Sequence, residues 1–115
     1  MKDNQLYLIH ISECINRIEE YVAEGKESFL GDAKTQDAVL RNLQILSEST
    51  QHLSETLKDA HPEIDWKRIA GFRNILVHDY LGINLVRVWE IVERYLPKLK
   101  EKIDEIVASP GETSH

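Results

Sequence analysis

Apolar residues recur at helical spacing along almost the whole chain, and this alone excludes most architectures. Leu8, Ile11, Ile15, Ile18 and Val22 follow a 3-4-3-4 spacing, which sets them on one helix face, with Gly25 as the stop. Val39, Leu43, Leu46, Thr50, Leu53 and Leu57 make a second stripe. It predicts a helix from about Thr35 to just before Pro62, because proline disfavours helical geometry in the residue preceding it. The intervening stretch, Gly25 to Lys34, holds Ser28, Gly31 and Asp32 and reads as a loop. Asp65 is placed to cap a third helix whose buried side is Trp66, Ile69, Phe72 and Leu76. That helix is expected to end near Val77, with His78-Asp79-Tyr80-Leu81-Gly82 forming its end and the turn beyond. Asn84 can cap a fourth helix striped by Leu85, Val88, Val92, Tyr95, Leu99, Ile103 and Ile106. Pro97 interrupts that stripe and removes one backbone hydrogen bond, so a kink is expected there.

The expected fold is therefore all-α: an antiparallel four-helix bundle with a shorter third helix and a kinked last helix. One domain spans 1–108, and 109–115, rich in Ser, Pro, Gly and Thr, reads as a flexible tail. A chain of 115 residues buries roughly two-thirds of its unfolded surface and needs no metal or disulfide to fold. With 5 Gly and 3 Pro it is not a loop-rich β sandwich. Its apolar runs are too short for a membrane span or a signal peptide. A single cysteine, Cys14, excludes an internal disulfide and fits a reducing cytoplasm. Ile75, Val77, Leu81, Ile83, Val86, Trp89 and Ile91 lie off the main stripes, a surplus that a homodimer interface would cover.

The net charge of −6 does not suit a long nucleic-acid duplex tracked by many phosphate contacts. Residues 1–60 carry 6 basic and 11 acidic side chains, whereas 61–115 carry 8 and 9. Within the second part, Trp66 to His78 contains Lys67, Arg68 and Arg73 and no acid. Such an island is either a solvated cationic face or a seat for a small phosphate-bearing ligand.

No metal site is legible. His10-x-x-Glu13 reverses the order that di-iron bundles use, Glu48 and His52 are four apart, and no second pair completes a cage. His10 and Cys14 can share a face, but two ligands do not make a zinc site. Cys14 reads as a small buried hydrophobe, and His10, His52 and His61 as surface or boundary residues. Phosphate-binding loops and the Gly-x-Ser-x-Gly nucleophile turn are absent, and no cofactor is expected.

Chemistry instead gathers in Arg73-Asn74-Ile75-Leu76-Val77-His78-Asp79-Tyr80. An imidazole titrating near neutrality can move protons, a guanidinium can stabilise charge on phosphoryl oxygens, and a phenol can orient a phosphate or base. Arg73 and His78 are five apart, about 140° around a regular helix and about 7.5 Å along it, so one straight helix does not aim both at one point. A turn beginning near Val77 would bring His78 and Tyr80 back toward Arg73. On chemistry alone the three are also ordinary helix-end residues.

The run from Ile64 to Tyr80 resembles the HepT-like branch of the HEPN superfamily, whose hallmark is Arg, four to six residues, His, any residue, Tyr. Arg73, His78 and Tyr80 fit that hallmark. Val88-Trp89 and Tyr95-Leu96-Pro97 within Leu85 to Ile103 are also similar to that family, as is Ala38 to Leu46. Ser47-Glu48-Ser49 departs from the Gly-Glu-Ala often found there, which alters packing rather than chemistry.

The resemblance implies a helical homodimer with the motifs of two chains lining one cleft. It implies a metal-independent endoribonuclease, the toxin of a type VII-like toxin–antitoxin pair. RNA would be cut by attack of a ribose 2′-hydroxyl on the adjacent phosphate, giving a 2′,3′-cyclic phosphate and a free 5′-hydroxyl. Arg73 and His78 would be catalytic, and Asn74, Asp79 and Tyr80 would position substrate. The partner would be an MntA-like minimal nucleotidyltransferase that silences the toxin by transferring AMP to Tyr80. The alternative is a non-catalytic HEPN module that binds nucleotide, RNA or the partner nucleotidyltransferase.

Overall fold

The computed structural model describes residues 3–78 and 84–108, and every element among them is helical. The helices are α1 (Asn4–Tyr21), α2 (Lys26–Gly31), α3 (Ala33–Gln51), α4 (Glu55–Ala60), α5 (Trp66–His78), α6 (Leu85–Glu90) and α7 (Leu96–Ala108). A π-helical turn, Ile91–Tyr95, joins α6 to α7.

Four rods correspond to the four expected stripes: α1, α3, α5 and the continuous α6–α7 rod. The core is their shared apolar side, with Leu8, Ile11, Ile15, Ile18, Val39, Leu46, Ile69, Leu96 and Ile103 almost wholly buried. Hydrogen bonds fix the direction of the rods. Asn4 at the start of α1 donates to Ser54 Oγ just beyond α3 (3.0 Å), and the Ser54 N–H donates back to Asn4 Oδ1 (3.1 Å). Gln5 Nε2 donates to the Val107 carbonyl (3.2 Å), and Ser12 Oγ to Asp104 Oδ1 (2.8 Å). Thus α1 runs antiparallel to both α3 and α7.

Two short helices depart from the expected pattern. The stretch read as a loop contains α2. Gly25, at φ +99°, takes the left-handed backbone that starts it. Phe29 is completely buried, with its ring centroid 5.6 Å from that of Trp89. Gln36 Nε2 satisfies the Phe29 and Leu30 carbonyls at 3.0 Å each, groups that a helix C-terminus leaves unpaired. Asp32 ends the turn and caps α3 through the Lys34 N–H and the Thr35 hydroxyl. The second stripe is also split. α3 ends at Gln51, and Ser54 caps α4 by accepting from the Leu57 N–H at 3.1 Å. The stripe conceals the break because Leu53 and Leu57 stay buried across it.

The third and fourth rods bear on the site. Asp65 caps α5 through the Arg68 N–H (3.0 Å), and Trp66 Nε1 donates to the Lys58 and His61 carbonyls. α5 runs through His78, within a residue of the end expected near Val77. Asn84 caps α6 through the Arg87 N–H at 3.1 Å. The kink anticipated at Pro97 is prepared one turn earlier. The Leu96 N–H reaches back five residues to the Ile91 carbonyl, and this wider turn delivers the chain to the proline.

Trp89 and Ile91 do not belong to an exposed surplus. They are 8% and 5% exposed, and Trp89 packs beneath α2, the element that the loop reading lacked. Val86 is exposed. Leu81, Ile83 and the side chains of Ile75 and Val77 lie outside the described residues. No described helix is long and apolar enough to cross a membrane.

Candidate functional site

α5 carries Arg73, Asn74 and His78, and its register follows from its capped start and its buried side. Ile69 and Phe72 anchor it to the core. Against α3, Ser47 is fully buried and its hydroxyl donates to the Ala70 carbonyl at 3.4 Å. Ser49 is also buried and Glu48 is exposed, so the departure at Ser47-Glu48-Ser49 lies in a packing seam.

Arg73 and Asn74 are exposed to solvent on α5. His78 closes the helix. Its side chain, and Asp79 and Tyr80 altogether, lie outside the described residues. Because α5 is regular through His78, its position and that of Arg73 are about 140° apart around the axis and about 7.5 Å apart along it. A turn before His78 is therefore not what joins them. By helical spacing, the His78 position follows Lys67, Gly71 and Asn74 in a 4-3-4 register along α5. A Cβ on Gly71 would meet nothing within 4 Å, so this stripe is open at its middle.

Beside that stripe runs a basic groove between α5 and the α6–α7 rod. Arg68, Gly71 and Phe72 form one wall, and Arg87, Glu90 and Ile91 form the other. It continues into a second depression lined by Arg68, Glu90, Arg94, Tyr95 and Lys98. The Arg68 guanidinium lies 4.2 Å from the centroid of the Tyr95 ring, a cation–π contact, and Phe72 meets Tyr95 edge-on at 5.8 Å. Burial raises the Tyr95 phenol above its ordinary range, and the Arg68 charge opposes that shift. Among the described residues no carboxylate pairs within 4.0 Å of Arg68, Arg87, Arg94 or Lys98.

The sequence reading included Arg68 in its basic island but missed Arg87, Arg94 and Lys98. A signal existed: Arg87, Glu90, Arg94 and Lys98 recur at 3-4-4 spacing through the fourth apolar stripe.

The other singled-out side chains lie elsewhere. Cys14 is fully buried, and burial raises its thiol above the usual range. His10 is half-buried, His52 stacks on Tyr7 at 5.0 Å, and His61 meets Glu63 at 3.3 Å. Among the described residues no three His, Cys, Asp or Glu side chains gather as a metal set would.

Comparison with known proteins bears on the whole bundle. A "Probable ribonuclease HepT" of Thermococcus cleftensis is 40% identical over 101 residues, covering 87% of this chain and 92% of the relative. A Methanocaldococcus jannaschii protein named as a gamma-glutamylcyclotransferase and candidate RNase is 39% identical over 107 residues. That match covers 92% of this chain but only 48% of the relative, so the chain spans about half the length of that protein. The "mRNA nuclease HepT" of Shewanella oneidensis is 29% identical, covering 85% of this chain and 91% of the relative. No solved structure matches the chain. The "Ribonuclease HepT-like" family matches residues 11–106, from the first apolar stripe to the last, and the chain belongs to that family.

Proposed function

We propose that this chain is an endoribonuclease toxin whose active site is completed by a second copy of itself. Family membership supports the activity, and the Shewanella relative's name points to messenger RNA as the substrate. The observation that carries the shared site is the helical path of α5. The positions of Arg73 and His78 are about 140° apart around one regular helix, and a two-fold axis relating two such helices would allow Arg73 of one copy to meet His78 of the other.

In this reading the ribose 2′-hydroxyl gives its proton to His78 and attacks the neighbouring phosphorus. The P–O5′ bond breaks as the 5′-oxygen takes a proton from solvent, His78 returns its own proton to solvent, and the products are a 2′,3′-cyclic phosphate and a 5′-hydroxyl. Arg73 holds the phosphoryl oxygens as their charge grows. Asn74, Asp79 and Tyr80 orient the strand. Tyr80 is also the acceptor for AMP from an MntA-like nucleotidyltransferase, and the added phosphate blocks the cleft by bulk and by pairing with Arg73.

The test is cleavage of mixed RNAs by the purified protein in EDTA beside His78→Ala and Arg73→Ala. Losing one transition-state interaction of about 3–4 kcal/mol slows cleavage by roughly a hundred- to a thousandfold. Variants that cut as fast as the parent would end the catalytic reading in favour of a module that only binds. Cleavage abolished by EDTA would end its metal-independent form. For Tyr80, co-expression with the nucleotidyltransferase should add the mass of AMP to the peptide holding it, and Tyr80→Phe should remove that mass.

A further inference from the structure

The groove between α5 and the α6–α7 rod holds four cationic side chains in a protein of net charge −6. Three cations elsewhere in the bundle are committed: Lys58 to Glu55, Lys100 to Asp104 at 2.8 Å, and Lys102 to the Glu63 carbonyl at 3.0 Å. Arg68, Arg87, Arg94 and Lys98 have no such carboxylate partner among the described residues. Arg68 is steadied by the face of Tyr95, which leaves its N–H groups free to meet an anion. Two adjoining depressions share Arg68 and Glu90, so Glu90 is the carboxylate between two cationic seats.

We infer that this groove is a track for the backbone of single-stranded RNA leading to the motif at the end of α5. One phosphate lies between Arg68 and Arg87, and a following one lies by Arg94 and Lys98. The inference rests on the ribonuclease reading for its ligand and on the groove for its path. A single strand fits better than a duplex, because a short run of cations beside an aromatic ring suits a few phosphates and unstacked bases. The open Gly71 position lets a backbone pass close to α5, on the stripe that ends at His78. Glu90 sets the sign of a control: it repels the phosphates that its neighbours attract.

The experiment measures binding in the full chain carrying His78→Ala, with EDTA present, so that RNA is not consumed. Fluorescence anisotropy of a labelled oligoribonucleotide of about twelve residues is followed across a salt series. For single strands the slope of log affinity against log salt is about 0.7 per neutralised phosphate, so adding Arg87→Ala and Arg94→Ala should flatten it by roughly 1.4 and weaken low-salt binding about tenfold. Glu90→Gln should tighten binding and leave the slope no shallower. Arg68 is left intact because it packs on Tyr95. An unchanged slope in the arginine variant would overturn the track, as would weaker binding by Glu90→Gln. Loss of nucleotidyltransferase binding with RNA binding intact would make the groove a protein-docking surface and overturn it equally. A chain that binds RNA through these cations yet never cuts it would remove the ribonuclease reading and leave the track standing.

Discussion

The seam between α1 and α7 and the groove between α5 and the α6–α7 rod contain similar side chains put to opposite uses. In the seam polar groups meet internal partners: Gln5 reaches the Val107 carbonyl, Ser12 reaches Asp104, and Lys100 closes on the same carboxylate at 2.8 Å. In the groove the cations line a concavity without pairing. One rod supplies both surfaces, and its charged residues are committed on one side and available on the other. Exposed ion pairs contribute little to stability, so leaving the groove unpaired costs the fold almost nothing.

The largest expected effect lies beneath the groove. Phe29 and Trp89 are the buried ring pair through which α2 supports α6. Phe29→Ala should destabilise the protein by about 3–5 kcal/mol, read as the shift in urea midpoint. A shift under about 1 kcal/mol, which is typical of exposed sites, would mean that α2 does not brace the groove wall.

A smaller effect separates the two surfaces directly. Asp104→Asn removes the negative charge and one of the two oxygens that accept from Ser12 and Lys100, and should cost about 0.5–1 kcal/mol, its partial exposure keeping the value low. Arg87→Ala should stay within about 0.5 kcal/mol. Equal losses would dissolve the distinction between committed and available charge.

The smallest effect is a dependence on pH. Burial pushes the Asp104 carboxyl up, but hydrogen bonds from Lys100 and Ser12 and the Lys100 charge outweigh it, so the group sits below its ordinary 3.8. The unfolded chain then binds the proton more readily than the folded one. Stability from this carboxylate is present above pH 3.8 and drains away as pH falls through the folded value. The gap between wild type and Asp104→Asn should narrow between pH 6 and pH 3 in urea titrations. A constant gap would assign the seam to packing alone.

Long-range periodicity made α1, α3, α5 and the last rod legible, because each buries an apolar stripe long enough for its period to show. The caps at Asp65 and Asn84 were legible for the same reason, since each precedes such a stripe. α2 was not. Six residues make less than two turns, too short for a period to show, and only Phe29 in it is fully buried. Missing α2 also made Trp89 look like surface, because nothing else in the sequence marks what covers it. Of the candidate site, the motif residues were legible as chemistry, whereas the groove was not. Its cations come from α5 and the α6–α7 rod and become one surface only when those elements pack.

The central claim is that Arg73 of one copy works with His78 of another, and mixing two inactive variants tests it most directly. Arg73→Ala and His78→Ala chains, each inactive alone, are combined in equal amounts and allowed to exchange before RNA is added. If the site is shared, half of the dimers are mixed, and each mixed dimer has one site with both residues intact, so about a quarter of wild-type cleavage should return. If both residues of a site come from the same chain, no mixed dimer contains an intact site. Cleavage would then stay at the level of the separate variants, and the shared site would be contradicted.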